Sequence, residues 1–225
     1  MRGLPVIAAA LLLHAAHAAD PSAELIGHWD FEDTPGGVLR DRSGNERHGR
    51  IHGAPQSVDG VAGQALRFVE VGDFIEFEGA VVPAGDFTIA LWLNCDDTEK
   101  QFFLGQYLYQ HPERLDLAVR EGCVRIQIDE IVDSEPLVQA RRWHHLAYAR
   151  SGSDVKVYLD GELVTRAELP GSVIQSEPLI LGKIVVPGRD DFRFTGIMDE
   201  LRIWAGVLPA DSVRELFESF RGRDQ

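Results

Sequence analysis

Asp199 is the residue whose chemistry most needs explaining. It shares parity with Ile197, Leu201 and Ile203 in a period-two run near the carboxyl end, so alternation places a carboxylate on an apolar face. A buried ionised carboxylate must be paired, hydrogen-bonded or bound to a cation, or else take up a proton. Asp30 stands among aromatic residues at the other end of the chain. If the first and last strands are neighbours, two such charges about 5 Å apart repel by roughly 3 kcal/mol at an effective dielectric of 20, and a divalent cation reverses the sign. The Ser43-Gly44-Asn45 turn adds carbonyl and amide oxygens, the hard donors that calcium gathers. The alternative is that Asp199 bonds a backbone amide or Arg202, with no ion.

Other groups carry less. Trp143-His144-His145 resembles a metal or catalytic pair, but adjacent strand residues point to opposite faces and cannot share one ion. The four tryptophans read as core. There is no Gly-x-Ser-x-Gly elbow, no Walker loop and no His-Glu-x-x-His. Two stretches offer recognition chemistry. Residues 96–114 contain Gln106, Tyr107, Tyr109, Gln110 and His111, which combine hydrogen-bonding groups with flat rings of the kind that stack on sugars. Residues 187–193 offer Arg189, Asp190, Asp191 and Phe192. For both, the plainer reading is a solvated loop.

The elements that must position these groups read as strands. Period-two runs recur at residues 25–31, 64–68, 74–77, 87–94, 115–119, 124–128, 143–150, 155–159, 179–184 and 197–204, separated by turn clusters. Asp160-Gly161 suits a two-residue hairpin turn. One helix is expected at the end: Pro209 fits a first helical position, and Val213, Leu216, Phe217 and Phe220 form an apolar stripe. Many short strands without alternating helices predict an all-β, antiparallel sandwich.

Residues 1–18 read as a secretory signal: Arg2, an apolar run from Leu4 to Leu13 too short to span a bilayer, then Ala16-His17-Ala18. The domain is expected over residues 19–225. Of 225 residues, 22 are Lys or Arg and 36 Asp or Glu, a net charge of −14. Such a surface repels nucleic acid and anionic membranes, which excludes both as partners. Export permits a bond between Cys95 and Cys123, which would remove roughly 3–4 kcal/mol of unfolded-state entropy. Alternation places the two on opposite sheet faces and argues against it, so the pairing stays open.

The segment HWDFEDTPGGVLRDRSGNERHGRI, residues 28–51, resembles the opening of laminin-G-like jelly-roll domains of the concanavalin-A-like lectin and glucanase superfamily. There, an aromatic-acid-phenylalanine strand precedes an acid-x-Ser-Gly-Asn loop. GVAGQALRF with DFIEF, then FTIALWLN, RWHHLAYARSGSDVKVYLDGELV, PLILGKI and FTGIMDELRIWAGVLPADSVRELF are similar to its successive strands, in order. The resemblance implies a two-sheet antiparallel jelly roll, secretion, and a structural calcium ion near the joined termini. It places the ion at Asp30, Asn45 and Asp199, with Asp41, Ser43 and Gly44 supporting the loop. The chain departs from the pattern at Asn45-Glu46, where the family often has Asn-Gly. Glutamate disfavours the positive φ that glycine permits, so the loop takes another path or Glu46 supplies a ligand.

The glucanase branch carries its carboxylates on one strand as Glu-x-Asp-x-x-Glu, the pair that a retaining glycosidase needs. This chain lacks that string; the nearest acids, at residues 129–135, are spaced differently and read as a solvated loop. The expected function is therefore a non-catalytic binding module, calcium-stabilised and lectin-like, secreted, periplasmic or at the cell surface, and monomeric. Its partner would be a glycan. A protein-adhesion or surface-assembly module is the alternative, and glycoside hydrolysis ranks third.

Overall fold

The computed structural model describes residues 23–220, so the expected signal at 1–18 lies outside the described residues. The strands are β1 (Glu24–Trp29), β2 (Val38–Leu39), β3 (Gly49–His52), β4 (Gln56–Asp59), β5 (Gln64–Phe68), β6 (Phe74–Phe77), β7 (Phe87–Cys95) and β8 (Lys100–Tyr107). They continue with β9 (Arg114–Arg120), β10 (Cys123–Ile128), β11 (Glu130–Pro136), β12 (Trp143–Ser151), β13 (Asp154–Leu159), β14 (Glu162–Glu168), β15 (Ile180–Leu181) and β16 (Gly196–Ala205), and the helix α1 (Ala210–Glu218) follows. The first sheet runs β14-β13-β12-β7-β16-β5-β4 with β1 also on β16, and the second runs β11-β10-β9-β8-β15-β6-β3-β2. Every pairing is antiparallel. This is the expected all-β jelly-roll sandwich.

Three apolar layers follow from the strand patterns. In β10 the residues Val124, Ile126 and Ile128 enter the space between the sheets, while Arg125 and Gln127 alternate outward. β7 is apolar on both faces because it is covered on both: Ile89, Leu91 and Leu93 join the inter-sheet core, and Ala90 and Trp92 join a second cluster with Val213 and Leu216 of α1. Large buried side chains such as Trp29, Phe77 and Phe103 each contribute roughly 1.5–3 kcal/mol by leaving water. Trp29 also donates its ring N–H to the carbonyl of Arg47 at 2.9 Å. The third cluster, Phe102, Ala118 and Ile184, lies on the outer side of the second sheet with Tyr107, Val186 and Phe192 against it. The helix thus covers one sheet, and the outer face of the other is where loops are free to build a site.

Local expectations met different fates. Asp160 and Gly161 adopt φ of +51° and +80° between β13 and β14, as the hairpin turn requires. Pro209 occupies the N-cap of α1, so the helix starts at Ala210, one position after the expected start. The stretch 96–114, expected as a solvated loop, contains β8, and residues 129–135 fall largely on the edge strand β11. The Cys95–Cys123 bond is corrected: both thiols are free, Cys95 buried at the end of β7 in the first sheet and Cys123 opening β10 in the second.

Candidate functional site

Asp199 is fully buried, as its neighbours in sequence suggest, but by another route than simple alternation. A register shift separates Asp199 from Arg202 along β7, and Glu200 has a φ of +53°. The bulge changes the parity of the strand: Met198 lies in the inter-sheet core before it, Leu201 and Ile203 after it. At the same place β16 exchanges one partner for another, pairing with β5 up to Met198 and with β1 from Leu201 onward. The carboxylate fills that junction. Its Oδ2 accepts the N–H groups of Val61 and Ala62 at 3.0 and 3.3 Å, and Oδ1 accepts the N–H of Glu200 at 2.8 Å. Gly60 has no side chain because a Cβ there would lie 2.4 Å from Oδ2. Burial, with the Glu200 charge beside it, pushes the Asp199 carboxyl up to about 8 against the pull of those amides.

The other residues expected to hold calcium are engaged separately. Asp30 Oδ2 accepts from Arg42 Nε at 2.9 Å, and Asn45 directs its amide N–H to the Leu25 carbonyl and to Ser43 Oγ. Asp41 braces the loop, accepting the backbone N–H groups of His28, Ser43 and Arg47 and the Ser43 hydroxyl. Burial pushes Asp41 up, but these hydrogen bonds outweigh it and leave the carboxyl below its ordinary value. Glu46 takes the positive φ that glycine takes in the family, at +58°. His48 accepts the Asp41 N–H at Nδ1. Among the described residues no three His, Cys, Asp or Glu side chains are grouped to hold a metal ion. Calcium requires oxygen ligands, whereas Asp199 is met by three N–H donors and Asp30 by a guanidinium, so this set does not fit the ion.

His144 and His145 part as alternation requires, but both serve Asp160. His144 Nε2 accepts the Gln139 N–H, which leaves Nδ1 to donate to Asp160 Oδ2 at 2.9 Å, while the His145 backbone N–H goes to Oδ1. The edge acid Asp133 forms a two-point pair with Arg125 at 2.7 and 2.6 Å.

The two stretches with recognition chemistry meet on the outer face of the second sheet. Residues 183–193 fold back as a small hairpin, with bridges from Lys183 to Arg193 and from Val186 to Arg189. It lies across β8 at Gly105, where a Cβ would stand 2.8 Å from Ile184 Cγ2. Tyr107 donates its hydroxyl to the Val185 carbonyl. The Phe192 ring packs on Phe102 at 5.0 Å, with the Lys100 ammonium 3.8 Å from its centre. Asp191 binds Lys100 and accepts from Nε and Nη2 of Arg189. Phe192 is therefore an anchor with cations over its ring, and it is half-buried and lines the cavity formed here. Gln106 is corrected as a ligand-binding residue: it is fully buried, its oxygen accepts the Val81 and Val82 N–H groups, and its nitrogen donates to the Val82 and Ile174 carbonyls. His111 accepts the Glu113 N–H within the 108–113 turn. Tyr109 is 45% exposed.

Between this hairpin and Val71 lies a cavity of about 350 Å3. Val71, Ile184, Val185, Val186 and Pro187 supply apolar wall, and Lys183, Arg189, Arg193 and Asp190 supply charge. Outside the 187–193 stretch, these lining residues carry no distinctive pattern in the sequence. Val71 is 112 positions from Lys183, and only the sheet order joins them.

The laminin G family model described as the concanavalin A-like lectin/glucanases superfamily matches residues 70–214. No curated protein sequence matches the chain. Among solved structures, domain 4 of an extracellular GH43 arabinanase from Geobacillus stearothermophilus, determined with arabinotriose, is similar with a TM-score of 0.71 and 21% identity, over 87% of this chain and 98% of that one. The binding domain of Paraclostridial Mosquitocidal Protein 1 is similar with a TM-score of 0.71 and 17% identity, over 88% of this chain but 52% of that one. A sialidase of Trypanosoma rangeli, solved with 2,3-difluorosialic acid, is similar with a TM-score of 0.66 and 15% identity, over 89% of this chain and 33% of that one. At these identities the likeness is one of fold.

Proposed function

The chain belongs to the concanavalin A-like lectin/glucanase superfamily, and we propose that it is a secreted, non-catalytic binding module that recognises carbohydrate at the 183–193 hairpin. The observation that carries this reading is the cavity itself. It offers apolar wall for the C–H face of a sugar ring, polar groups for its hydroxyls, and a volume within the range of small-ligand sites. It also lies on the sheet face that α1 leaves uncovered. The arabinanase domain of the same fold holds arabinotriose, which supports a saccharide as the class of ligand. A non-catalytic role is supported by the ion pairs of two acids on this face: Asp133 is tied to Arg125, and Asp191 to Lys100 and Arg189.

One observation favours a protein partner instead. Val71, Leu108, Tyr109 and Val185 are large apolar or aromatic residues left exposed, and toxin binding domains share the fold. Affinity electrophoresis through gels containing individual polysaccharides, with calcium and then with chelator, separates the readings. Retardation by a glycan supports the lectin-like module. Uniform migration in every gel, together with self-association in light scattering, supports adhesion.

A further inference from the structure

The cavity's charge does not match the molecule's. The chain carries a net −14, yet three cations and one acid line this site. Two of the cations are committed. Arg189 is held by both oxygens of Asp191, and Arg193 donates Nη1 to the Val69 carbonyl. Lys183 differs. Its ammonium lies 3.4 Å from the centre of the Phe74 ring, and among the described residues no carboxylate comes within ion-pair distance. The acids that influence it, Asp190 and Glu76, act without contact, and Glu76 is taken by His52 at 3.1 Å. His52 in turn stacks on Phe74 at 4.2 Å, with 2° between the planes. The lysine is thus seated on a braced aromatic ring, with three N–H donors and no anion to receive them.

We infer that the saccharide taken by this cavity carries a carboxylate, as a uronate does, and that Lys183 supplies its countercharge. The inference rests on the glycan reading above and narrows it. A charged acceptor makes a stronger hydrogen bond with an ammonium than a sugar hydroxyl does. The apolar lining of the same cavity, with Val185 and Pro187, meets the ring carbons of the same residue. The surrounding net negative charge repels a long polyanion, so the ligand is a short or sparsely charged saccharide.

The test compares trigalacturonate with its fully methyl-esterified counterpart by calorimetry, on the full chain and on Lys183→Met. Methionine keeps an unbranched chain against Phe74 and removes the charge. Trigalacturonate is expected to bind at least about tenfold more tightly than the ester, and Lys183→Met to abolish that difference. Equal affinity for the two, or an unchanged preference in Lys183→Met, overturns the inference. If neither probe binds but a neutral polysaccharide retards the protein, the acidic assignment falls and the glycan reading stands. If nothing retards it, both fall.

Discussion

Tyr107 and Val185 are joined by a 2.6 Å hydrogen bond from the phenol to the backbone carbonyl. It is the polar tie from the end of β8 to the hairpin that walls the cavity, and Tyr107→Phe removes only that tie. The variant is expected to lose about 1 kcal/mol of stability at most and to weaken glycan retardation, because the Val185 side of the wall loses one of the ties that hold the hairpin to β8. Urea unfolding and affinity electrophoresis on the same sample measure the two effects.

Gln106 makes the opposite prediction. Its carbonyl is shared by the Val81 and Val82 N–H groups in a buried site, so Gln106→Ala leaves two donors unpaired. Unfolding in urea should show a loss of about 3 kcal/mol, and any surviving folded protein should bind glycan as before.

Stability should fall as pH rises through about 8. The folded-state carboxyl of Asp199 is pushed by burial from its ordinary value of 3.8 up to about 8. Between those values the folded chain holds a proton that the unfolded chain has lost. Its contribution is fully present below 3.8 and gone above about 8. Asp199→Asn does not titrate, and thermal melts across this range should show its alkaline limb flattened.

Calcium should leave the melting curve where it is. The expected ligands Asp30, Asn45 and Asp199 are satisfied by Arg42, Leu25 and three backbone amides, and an ion that does not bind the folded state does not stabilise it. Melts with calcium and with chelator test this directly; a rise of several degrees with calcium would show that those side chains rearrange around it.

The cysteines should behave as separate thiols. Burial pushes Cys95 up to about 12, so alkylation of native protein should label Cys123 alone, and labelling in urea should reach both. Intact mass with and without reductant gives the count.

The strand framework was legible because alternation and turn chemistry are local: the Asp160-Gly161 turn and the inward row Val124, Ile126 and Ile128 can be read without knowing the partner strand. Asp199 was legible only in part. Its burial followed from its neighbours, but the bulge at Glu200 rests on a backbone angle that no side chain announces, and the amides of Val61, Ala62 and Glu200 that meet the carboxylate could not be read from spacing. β8 escaped notice because two of its buried residues, Gln101 and Gln106, are polar and read as solvent-facing until their backbone partners are known. The juxtaposition of residues 100–109 with the hairpin depends on sheet order, which spacing does not encode.

The pairing of β1 with β16 imposes an order on biosynthesis. Residues 24–29 emerge from the ribosome early, but their hydrogen-bonding edge is completed only by residues 201–205, about 180 positions later. Closing so long a loop is entropically slow, so the nascent chain must carry an unsatisfied strand for most of translation. A carrier that shields that edge would benefit this protein more than one whose opening strand forms a hairpin with the next.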